Sequence, residues 1–119
     1  MLFLEYPKCS TCRKAKQWLD GHQMEYTDRN IVEDNPTYGE LKEWYEKSEL
    51  PLKKFFNTSG MLYKQMQLKD KLGSMSEDEQ LQLLATNGML VKRPLIISGS
   101  TVFAGFRESD WEMLHKTSE

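Results

Sequence analysis

Two cysteines separated by two residues are the feature of this sequence that points most directly to chemistry. Cys9 and Cys12 are the only cysteines among the 119 residues. A short apolar run precedes them and an amphipathic helical pattern follows, so the pair falls where a strand passes into a helix. We predict that Cys9 lies at or just before the first helical turn. Free backbone N–H groups and the positive end of the helix dipole favour an anion there.

The neighbours of the pair favour the ionised form of a thiol, which is its reactive form. Lys8, Arg13 and Lys14 place positive charge close to Cys9. A thiolate in such surroundings has a lowered pKa. Arg13 is therefore predicted to help bind an anion at this position.

The spacing of the two cysteines predicts a division of labour between them. Cys12 follows Cys9 by nearly one helical turn, within reach to close a disulfide. We predict that Cys9 is the nucleophile and that Cys12 resolves the covalent intermediate. The backbone N–H groups from Ser10 and Thr11 to Cys12 would cradle a bound anion.

Two other interpretations of the cysteines stay open at this point. They could supply half of a zinc site, although the two histidines, His22 and His115, lack the spacing of a zinc knuckle. They could also be inert thiols, since free cysteine often packs as a small hydrophobe. The histidines lie near predicted helix ends, where a solvent-facing role is simplest, and we predict no metal site.

Length and composition narrow the class of protein. A chain of 119 residues favours a single domain. The net charge of −2 gives no basic surface for nucleic acid, and no apolar run approaches a membrane span. Two cysteines cannot form a secreted disulfide scaffold, and the start of the chain does not resemble a signal peptide. We therefore predict a cytoplasmic protein, in which a CxxC pair is catalytic, redox-sensing or metal-binding.

Two strands and a helix are predicted around the cysteines. The first strand covers Leu2–Tyr6, and the helix covers Ser10–His22 with Ser10 or Thr11 as its cap. The pattern at Met24–Asp28 alternates and predicts a second strand beside the first. Together they form a parallel β-α-β unit.

A helical insertion is predicted over about residues 36–87, with Asn35 as its first cap and Pro36 in its first turn. The segment lacks the Gly/Ser-rich linkers of a separate domain, so we expect it to pack on the sheet. Its further predicted elements are a helical turn at Leu52–Phe56, a helix at Met61–Leu68, a capping box at Ser76–Glu79 and a helix end at Asn87-Gly88.

Strand patterns return near the end of the chain. Leu95–Ile97 and Thr101–Phe103 predict an antiparallel hairpin. A last helix is predicted over Glu108–Lys116, with Trp111 and Leu114 facing inward. The order β-α-β, helices, β-β-α predicts an α/β thioredoxin-like fold with a mixed four-stranded sheet and an all-helical insertion.

Several separated motifs resemble the ArsC/Spx branch of the thioredoxin superfamily. Cys9–Ala15 resembles the family's CxxC-R-K-A start, and Tyr26–Ile31 resembles its second strand and exit. Val91–Ile96 resembles its late R-P-[IL]-[IVL] segment, and Gly105-Phe106 its following glycine-aromatic step. The likeness runs over nearly the whole chain.

The resemblance implies a role for Arg93-Pro94. The peptide bond before Pro94 would be cis and would face the Cys9 loop. The guanidinium of Arg93 would point at a molecule bound over Cys9, and its planar fork suits an oxyanion such as arsenate or the carboxylates of glutathione. Arg93 could instead pair with an acidic side chain of the protein.

Arsenate reductases of the glutaredoxin-linked type use one cysteine and three arginines, and Arg93 matches one of the three. The second position falls near Lys53, and Arg107 is the nearest counterpart of the third. Lys53 and Lys54 could equally belong to a solvated helix face. The presence of Cys12, which those enzymes lack, favours general thiol–disulfide chemistry.

The resemblance therefore implies a thiol-dependent oxidoreductase without a bound cofactor. It would reduce arsenate or a protein or glutathione disulfide, and glutathione, glutaredoxin or thioredoxin would return the electrons. The alternative is an Spx-like redox regulator that binds the α subunit of RNA polymerase.

Overall fold

A mixed four-stranded sheet forms the centre of the computed structural model, which describes residues 1–118 and the side chains of residues 1–114. The strands are β1 (Leu2–Glu5), β2 (Thr27–Asn30), β3 (Leu95–Ser98) and β4 (Thr101–Ala104). Their order is β2-β1-β3-β4. β1 is parallel to β2 and antiparallel to β3, and β3 and β4 form the predicted hairpin. The predicted α/β class and sheet are confirmed.

Six α-helices and three 3₁₀ turns surround the sheet in the described part of the chain. The helices are α1 (Ser10–Gly21), α2 (Tyr38–Ser48), α3 (Met61–Gln65), α4 (Leu68–Lys71), α5 (Glu77–Leu84) and α6 (Glu108–Ser118). The 3₁₀ turns are Leu52–Phe55, Leu72–Ser74 and Gly88–Leu90. None of these helices combines the length and apolar character needed to cross a membrane.

Each face of the sheet buries its own cluster, because successive side chains of a strand point to opposite faces. On one face Phe3 and Ile96 pack with residues of α1 and with Trp111 and Leu114 of α6. Both α6 residues are buried, as predicted. On the other face Leu4 belongs to the cluster formed largely by the helical segment. The other members of that cluster include Leu95, Ile97, Val102, Leu41, Trp44, Phe55 and Leu84. The helical segment thus packs on the sheet, as expected.

The second strand begins later than predicted: β2 covers Thr27–Asn30, whereas the prediction was Met24–Asp28. Beyond the end of α1, the N–H groups of Gln23 and Met24 donate to carbonyls of the helix. Gln23 is left-handed, with φ of 56°. These residues therefore close the helix and are not free to pair with β1.

Helix α2 begins at a different cap from the predicted one. Thr37 is its N-cap, and it forms a reciprocal capping box with Glu40. Asn35, the predicted cap, instead donates its side-chain amide to the Ala85 carbonyl at 2.7 Å and so connects the start of α2 to the end of α5. Asn35 therefore takes part in a long-range hydrogen bond instead of capping the helix, and the sequence pattern does not encode that bond.

The rest of the helical segment agrees with the prediction in one feature and departs from it in two. The capping box of Ser76 and Glu79 opens α5 as expected. The helix predicted over Met61–Leu68 is divided into α3 and α4, because Gln67 adopts a left-handed conformation with φ of 55°. Asn87 caps the 3₁₀ turn that follows α5 rather than ending that helix.

Candidate active site

The register of the sheet brings the cysteine loop and the arginine–proline step together. Cys9 follows the end of β1, and Arg93-Pro94 directly precedes the start of β3. These strands are antiparallel neighbours in which Leu4 pairs with Leu95. The end of β1 and the start of β3 therefore lie at the same edge of the sheet.

Cys9 itself is the N-cap of α1, so the prediction of Ser10 or Thr11 at this position is wrong. Its backbone is extended, with φ of −89° and ψ of 120°. Its sulfur accepts a hydrogen bond from the Cys12 N–H at 3.4 Å. The Cys9 N–H donates to the Tyr6 carbonyl at 2.9 Å, which fixes the loop that ends at the cap. A sulfur thus occupies the place that a hydroxyl or carboxylate oxygen usually takes.

The pKa of the Cys9 thiol is lowered from its ordinary value. Partial burial is the largest single influence and acts in the opposite direction. It is outweighed by the Cys12 N–H, the Cys12 thiol, the charge of Arg93 and the Thr11 N–H. The helix start, the Cys12 thiol and Arg93 together therefore favour the thiolate. The direction agrees with the prediction, but the charge comes from Arg93 and not from Lys8, Arg13 or Lys14.

Cys12 has the opposite character. It is fully buried, and burial raises the pKa of its thiol to about 12, with the neighbouring Cys9 sulfur adding to the increase. Both cysteines are free thiols. The pair therefore consists of a half-buried sulfur with a lowered pKa and a fully buried sulfur with a raised pKa.

Arg93 lies beside Cys9 with much of its hydrogen-bonding capacity unused. Its guanidinium stands over the Tyr6 ring, 5.2 Å from the ring centroid, and Nη1 is 3.5 Å from the Met89 carbonyl oxygen. Its Nε is buried and has no hydrogen-bond partner. Within the described side chains Arg93 forms no ion pair, so the alternative of a structural pairing with an acid is not observed.

The Arg93-Pro94 peptide bond is cis, as the resemblance implied. Pro94 is buried, and its carbonyl accepts a hydrogen bond from the Gly105 N–H at 2.8 Å. The arginine–proline step is therefore held between β1 on one side and the connection from β4 to α6 on the other.

The first turn of α1 contains three residues that were predicted to bind an anion. Ser10, Thr11 and Arg13 have exposed side chains. The Thr11 N–H is among the groups that lower the Cys9 pKa, whereas the Arg13 guanidinium is not. The Arg13 N–H donates to the Cys9 carbonyl at 3.1 Å, as the first hydrogen bond of the helix.

Lys53 and Arg107 line a separate cavity of about 520 Å³. Neither Cys9 nor Arg93 belongs to its wall. Lys53 is in the 3₁₀ turn Leu52–Phe55, and the Phe55 carbonyl accepts the Lys92 N–H at 2.8 Å. This bond docks the turn against Lys92. Because Arg93 is not part of the wall that Lys53 and Arg107 share, the three cations implied by the resemblance do not line one cavity.

Sequence reasoning did not identify Tyr6 or Met89 as partners of Arg93. Tyr6 had a usable signal, since an aromatic residue three positions before Cys9 must lie at the edge of the sheet where the loop begins. The Met89 carbonyl had none, because its position depends on the 3₁₀ turn before β3. Among the side chains that the structure describes, no group of three or more His, Cys, Asp or Glu residues could hold a metal ion. His115 lies outside those side chains.

A sheet of this order, with two cysteines at the N-terminus of α1 and a cis proline at the same edge, defines a thioredoxin-like fold. The model of the ArsC family matches residues 4–114. The chain belongs to the ArsC family.

Similar proteins come from several bacteria. The chain is 57% identical to protein YusI of Bacillus subtilis, over 94% of this chain and 95% of that protein. It is 28% identical to the global transcriptional regulator Spx of Staphylococcus aureus, over 87% of this chain and 78% of that protein. The second of these relatives is named as a transcriptional regulator.

Solved structures agree with the fold over almost the entire chain. An ArsC family related protein from Bacteroides fragilis is 58% identical, with a TM-score of 0.93 and 95% of each chain covered. A protein described as a possible arsenate reductase from Streptococcus mutans is 46% identical, with a TM-score of 0.85 and coverage of 93% of this chain and 96% of that one.

Proposed function

We propose that this protein is a thiol-dependent disulfide oxidoreductase in which Cys9 is the nucleophile and Cys12 the resolving cysteine. The observation that carries the proposal is the pairing of two unlike sulfurs at one helix start. The Cys9 sulfur has a lowered pKa and lies beside an arginine without a counterion, and the Cys12 thiol is protonated and buried behind it. Family membership supports the same class of chemistry.

In the first step the Cys9 thiolate attacks one sulfur of a substrate disulfide. A bond forms between Cys9 and that sulfur, and the sulfur–sulfur bond of the substrate breaks. The other half of the substrate leaves as a thiolate that takes the electron pair. Arg93 and the N–H groups of the first turn attract an anionic substrate and hold the attacking sulfur ionised.

In the second step the Cys12 sulfur attacks the Cys9 sulfur. A Cys9–Cys12 bond forms, the bond between Cys9 and the substrate sulfur breaks, and the second half of the substrate leaves as a thiolate with the electron pair. Formation of the mixed disulfide removes the negative charge from Cys9, and this charge is one cause of the raised Cys12 pKa. Cys12 then loses its proton more readily, and the proton passes to the first leaving thiolate through water. The products are the Cys9–Cys12 disulfide, one substrate thiol and one substrate thiolate, which takes up the proton that Cys9 released when it ionised. Two electrons thus pass from protein to substrate.

A thiol reductant must then return the two electrons to the protein. Glutathione, glutaredoxin or thioredoxin would do so by attack on the Cys9–Cys12 disulfide. These reductants keep thiols reduced in the cytoplasm, where we place the protein. Reduction of arsenate by the same thiolate is a narrower form of the proposal, and arsenate-dependent consumption of NADPH in the presence of a glutaredoxin or thioredoxin system would reveal it.

The proposal is tested by the alkylation rate of Cys9 with iodoacetamide as a function of pH, with the modified residue identified by mass spectrometry. We expect half-maximal reactivity below the free-thiol value of about 8.5. Cys12→Ser should retain a low midpoint, because the backbone N–H and Arg93 remain. A midpoint at or above the free-thiol value would rule out the proposed nucleophile.

Trapping of the intermediate tests the role of Cys12. After exposure to glutathione disulfide, the wild type should contain an intramolecular disulfide with a mass loss of two hydrogens. The Cys12→Ser variant should instead accumulate one glutathione on Cys9. Accumulation of the adduct in the wild type would show that Cys12 does not resolve it.

A second candidate, a redox-switched regulator, is favoured by the similarity to Spx. Here the Cys9–Cys12 disulfide would change a surface rather than complete a catalytic cycle. A pull-down with the C-terminal domain of the RNA polymerase α subunit, in reduced and oxidised states, tests this function. Absence of binding in both states would eliminate it.

A further inference from the structure

Glu5 is the one charged residue that is buried in the described part of the chain, and the proposed reaction does not yet use it. It is the last residue of β1, and its exposed fraction is 6%. Burial of a carboxylate costs free energy, so a buried carboxylate requires partners. Its partners are Lys16 of α1 and Asp28 of β2: Lys16 Nζ lies 3.8 Å from Glu5 Oε1 and 2.7 Å from Asp28 Oδ2.

Glu5 lies beneath the first turns of α1, which contain Cys12. Its side chain points to the same face of the sheet as Phe3, which packs with residues of α1. Since β1 and β2 are parallel, α1 runs back across the sheet between them, and its first turns cover the end of β1. Lys16 follows Cys12 by one helical turn, so its ion pair brings Glu5 to the Cys12 side of the helix. The N–H of the next residue, Tyr6, interacts with the Cys12 sulfur.

The surroundings of Glu5 favour the uptake of a proton. Burial raises the Glu5 pKa above its ordinary value of 4.5, and Asp28 adds to the increase as a hydrogen-bond partner and as a negative charge, whereas Lys16 acts in the opposite direction. β3, the other strand beside β1, has no titratable side chain, and the described acids of α6 are all exposed. A raised pKa brings the carboxylate closer to the proton affinity of a thiol and makes it a better proton acceptor.

We propose that Glu5 accepts the proton of the Cys12 thiol, through water, when Cys12 attacks the mixed disulfide. The inference rests on the proposed function and adds the proton acceptor of its second step. The S–H bond of Cys12 breaks, and its electron pair forms the bond to the Cys9 sulfur. The bond between Cys9 and the substrate sulfur breaks, the substrate leaves with that electron pair, and Glu5 becomes a neutral carboxylic acid.

The cluster of Glu5, Lys16 and Asp28 suits this role because protonation of Glu5 leaves no charge unpaired. Lys16 keeps Asp28 as its counterion at 2.7 Å, and the neutral Glu5 carboxyl can donate a hydrogen bond to Asp28. The side chains of Asp28 and Lys16 are 35% and 41% exposed, whereas Glu5 is buried. The proton therefore has a path from Glu5 through Asp28 to solvent, and from there to a substrate thiolate.

The kinetic test uses 5,5′-dithiobis(2-nitrobenzoate), because each step of its reduction releases one coloured thiolate. Attack by Cys9 releases the first at a rate that depends on reagent concentration, and attack by Cys12 releases the second at a rate that does not. Glu5→Gln should slow the second phase about a hundredfold at neutral pH, the lower end of what a positioned proton acceptor contributes, and leave the first unchanged. The control Glu25→Gln removes one exposed carboxylate and should leave both phases unchanged.

The pH dependence of the second phase distinguishes a proton acceptor from a structural residue. In the wild type its rate should rise with an inflection at the Glu5 pKa. Lys16→Gln should move this inflection to higher pH, because the lysine lowers the Glu5 pKa, and Asp28→Asn should move it to lower pH, because Asp28 raises that pKa. Glu5→Asp keeps a carboxylate and should retain an inflection, whereas Glu5→Gln should lose it.

The outcomes separate this inference from the proposed function. Two phases in the wild type, with equal second phases in Glu5→Gln and Glu25→Gln, would overturn the inference and leave the proposed function intact. If Glu5→Gln does not fold, an inflection that stays in place in both Lys16→Gln and Asp28→Asn would overturn the inference equally. Absence of the second phase from the wild type would show that Cys12 does not resolve the intermediate, and both proposals would fail.

Discussion

The starts of α1 and α2 use the same two electrostatic features for different purposes. At each, a helix N-terminus meets an arginine from elsewhere in the chain: Arg93 at α1 and Arg29 at α2. At α2 the anion between them is the Glu40 carboxylate, which belongs to the protein and is ionised at neutral pH. At α1 the anion is the Cys9 sulfur, which is ionised only when its pKa is lowered.

Protein groups occupy most of the N–H donors of Arg29, the arginine at α2. Arg29 donates Nη1 and Nη2 to the two oxygens of Glu40 at 2.7 and 2.9 Å, and Nε to the Asp34 carbonyl at 2.9 Å. Its side chain is only 13% exposed. Glu40 also caps the helix with Thr37, and Arg29 is the main cause that lowers the Glu40 pKa to about 2. With Nη2 also donating to the Asn35 carbonyl at 3.3 Å, this constellation joins β2 to α2 and occupies four of the five N–H donors of Arg29.

Among the residues whose side chains are described, Arg93 at α1 has only the Tyr6 ring and the Met89 carbonyl oxygen, 3.5 Å away, as partners. The first turn of α1 contains no acidic residue, whereas those of α2 and α5 do. At α2 a carboxylate in the first turn caps the helix and pairs with the arginine, so this helix start has a structural role. The absence of such a carboxylate at α1 leaves both the helix start and Arg93 available to a thiolate and an incoming anion.

The largest expected effect on stability comes from Arg29→Gln. We expect the free energy of unfolding in urea to fall by about 2 kcal/mol, below the 3–5 kcal/mol of a fully buried pair because Glu40 is partly solvated. The Cys9 alkylation midpoint should stay unchanged. Lys47→Gln, which removes an exposed ion pair with Glu43, serves as the control and should change stability by less than about 0.5 kcal/mol. An altered Cys9 midpoint in Arg29→Gln would show that the two regions are coupled.

Acid should weaken the α2 region over a defined range. Because the pKa of Glu40 is lowered in the folded protein, its contribution is fully present above its ordinary value of 4.5 and is lost as the pH falls towards about 2. The difference in unfolding free energy between wild type and Glu40→Gln should therefore shrink between pH 5 and pH 2. A constant difference over this range would contradict the assignment of the low pKa to Glu40.

The next effect concerns reactivity rather than stability. Arg93→Gln should raise the Cys9 alkylation midpoint and slow disulfide reduction at neutral pH several-fold, because the loss of the positive charge leaves a smaller fraction of Cys9 ionised. Its unfolding free energy should change by less than about 1 kcal/mol, since a half-buried charge without a counterion adds little to stability. Arg93→Lys keeps the charge and should restore much of the low midpoint. Large destabilisation without a change in midpoint would make Arg93 a structural residue like Arg29.

The smallest effect is expected at Tyr6, which we regard as a positioning residue for Arg93. Tyr6→Leu removes the ring under the guanidinium and should reduce disulfide reduction about threefold, in line with a cation–π contact of about 0.5–1 kcal/mol. Tyr6→Phe keeps the ring and should behave like the wild type. The Cys9 midpoint separates positioning from general destabilisation: it should rise in Tyr6→Leu and not in Tyr6→Phe.

Much of the fold could be predicted from short stretches of sequence. The hairpin of β3 and β4 and the Ser76 capping box depend on neighbouring residues, and they are present. Prediction failed where a distant partner intervened. Asn35 lost the α2 cap because its amide reaches Ala85, and β2 began late because residues after α1 bond back to the helix.

The sequence by itself determined that two cysteines stand at a strand–helix junction, because the strand pattern, the helix pattern and the motif are all local. The structure added that the second of them is buried. Only the tertiary structure decided that Arg29 pairs with a carboxylate, whereas Arg93 forms no ion pair with the described side chains. It also decided that Lys53 and Arg107 line a cavity separate from Cys9. The reason is that an ion pair or cavity requires side chains from distant parts of the chain to come within a few ångströms, and sheet register and helix packing alone fix those distances.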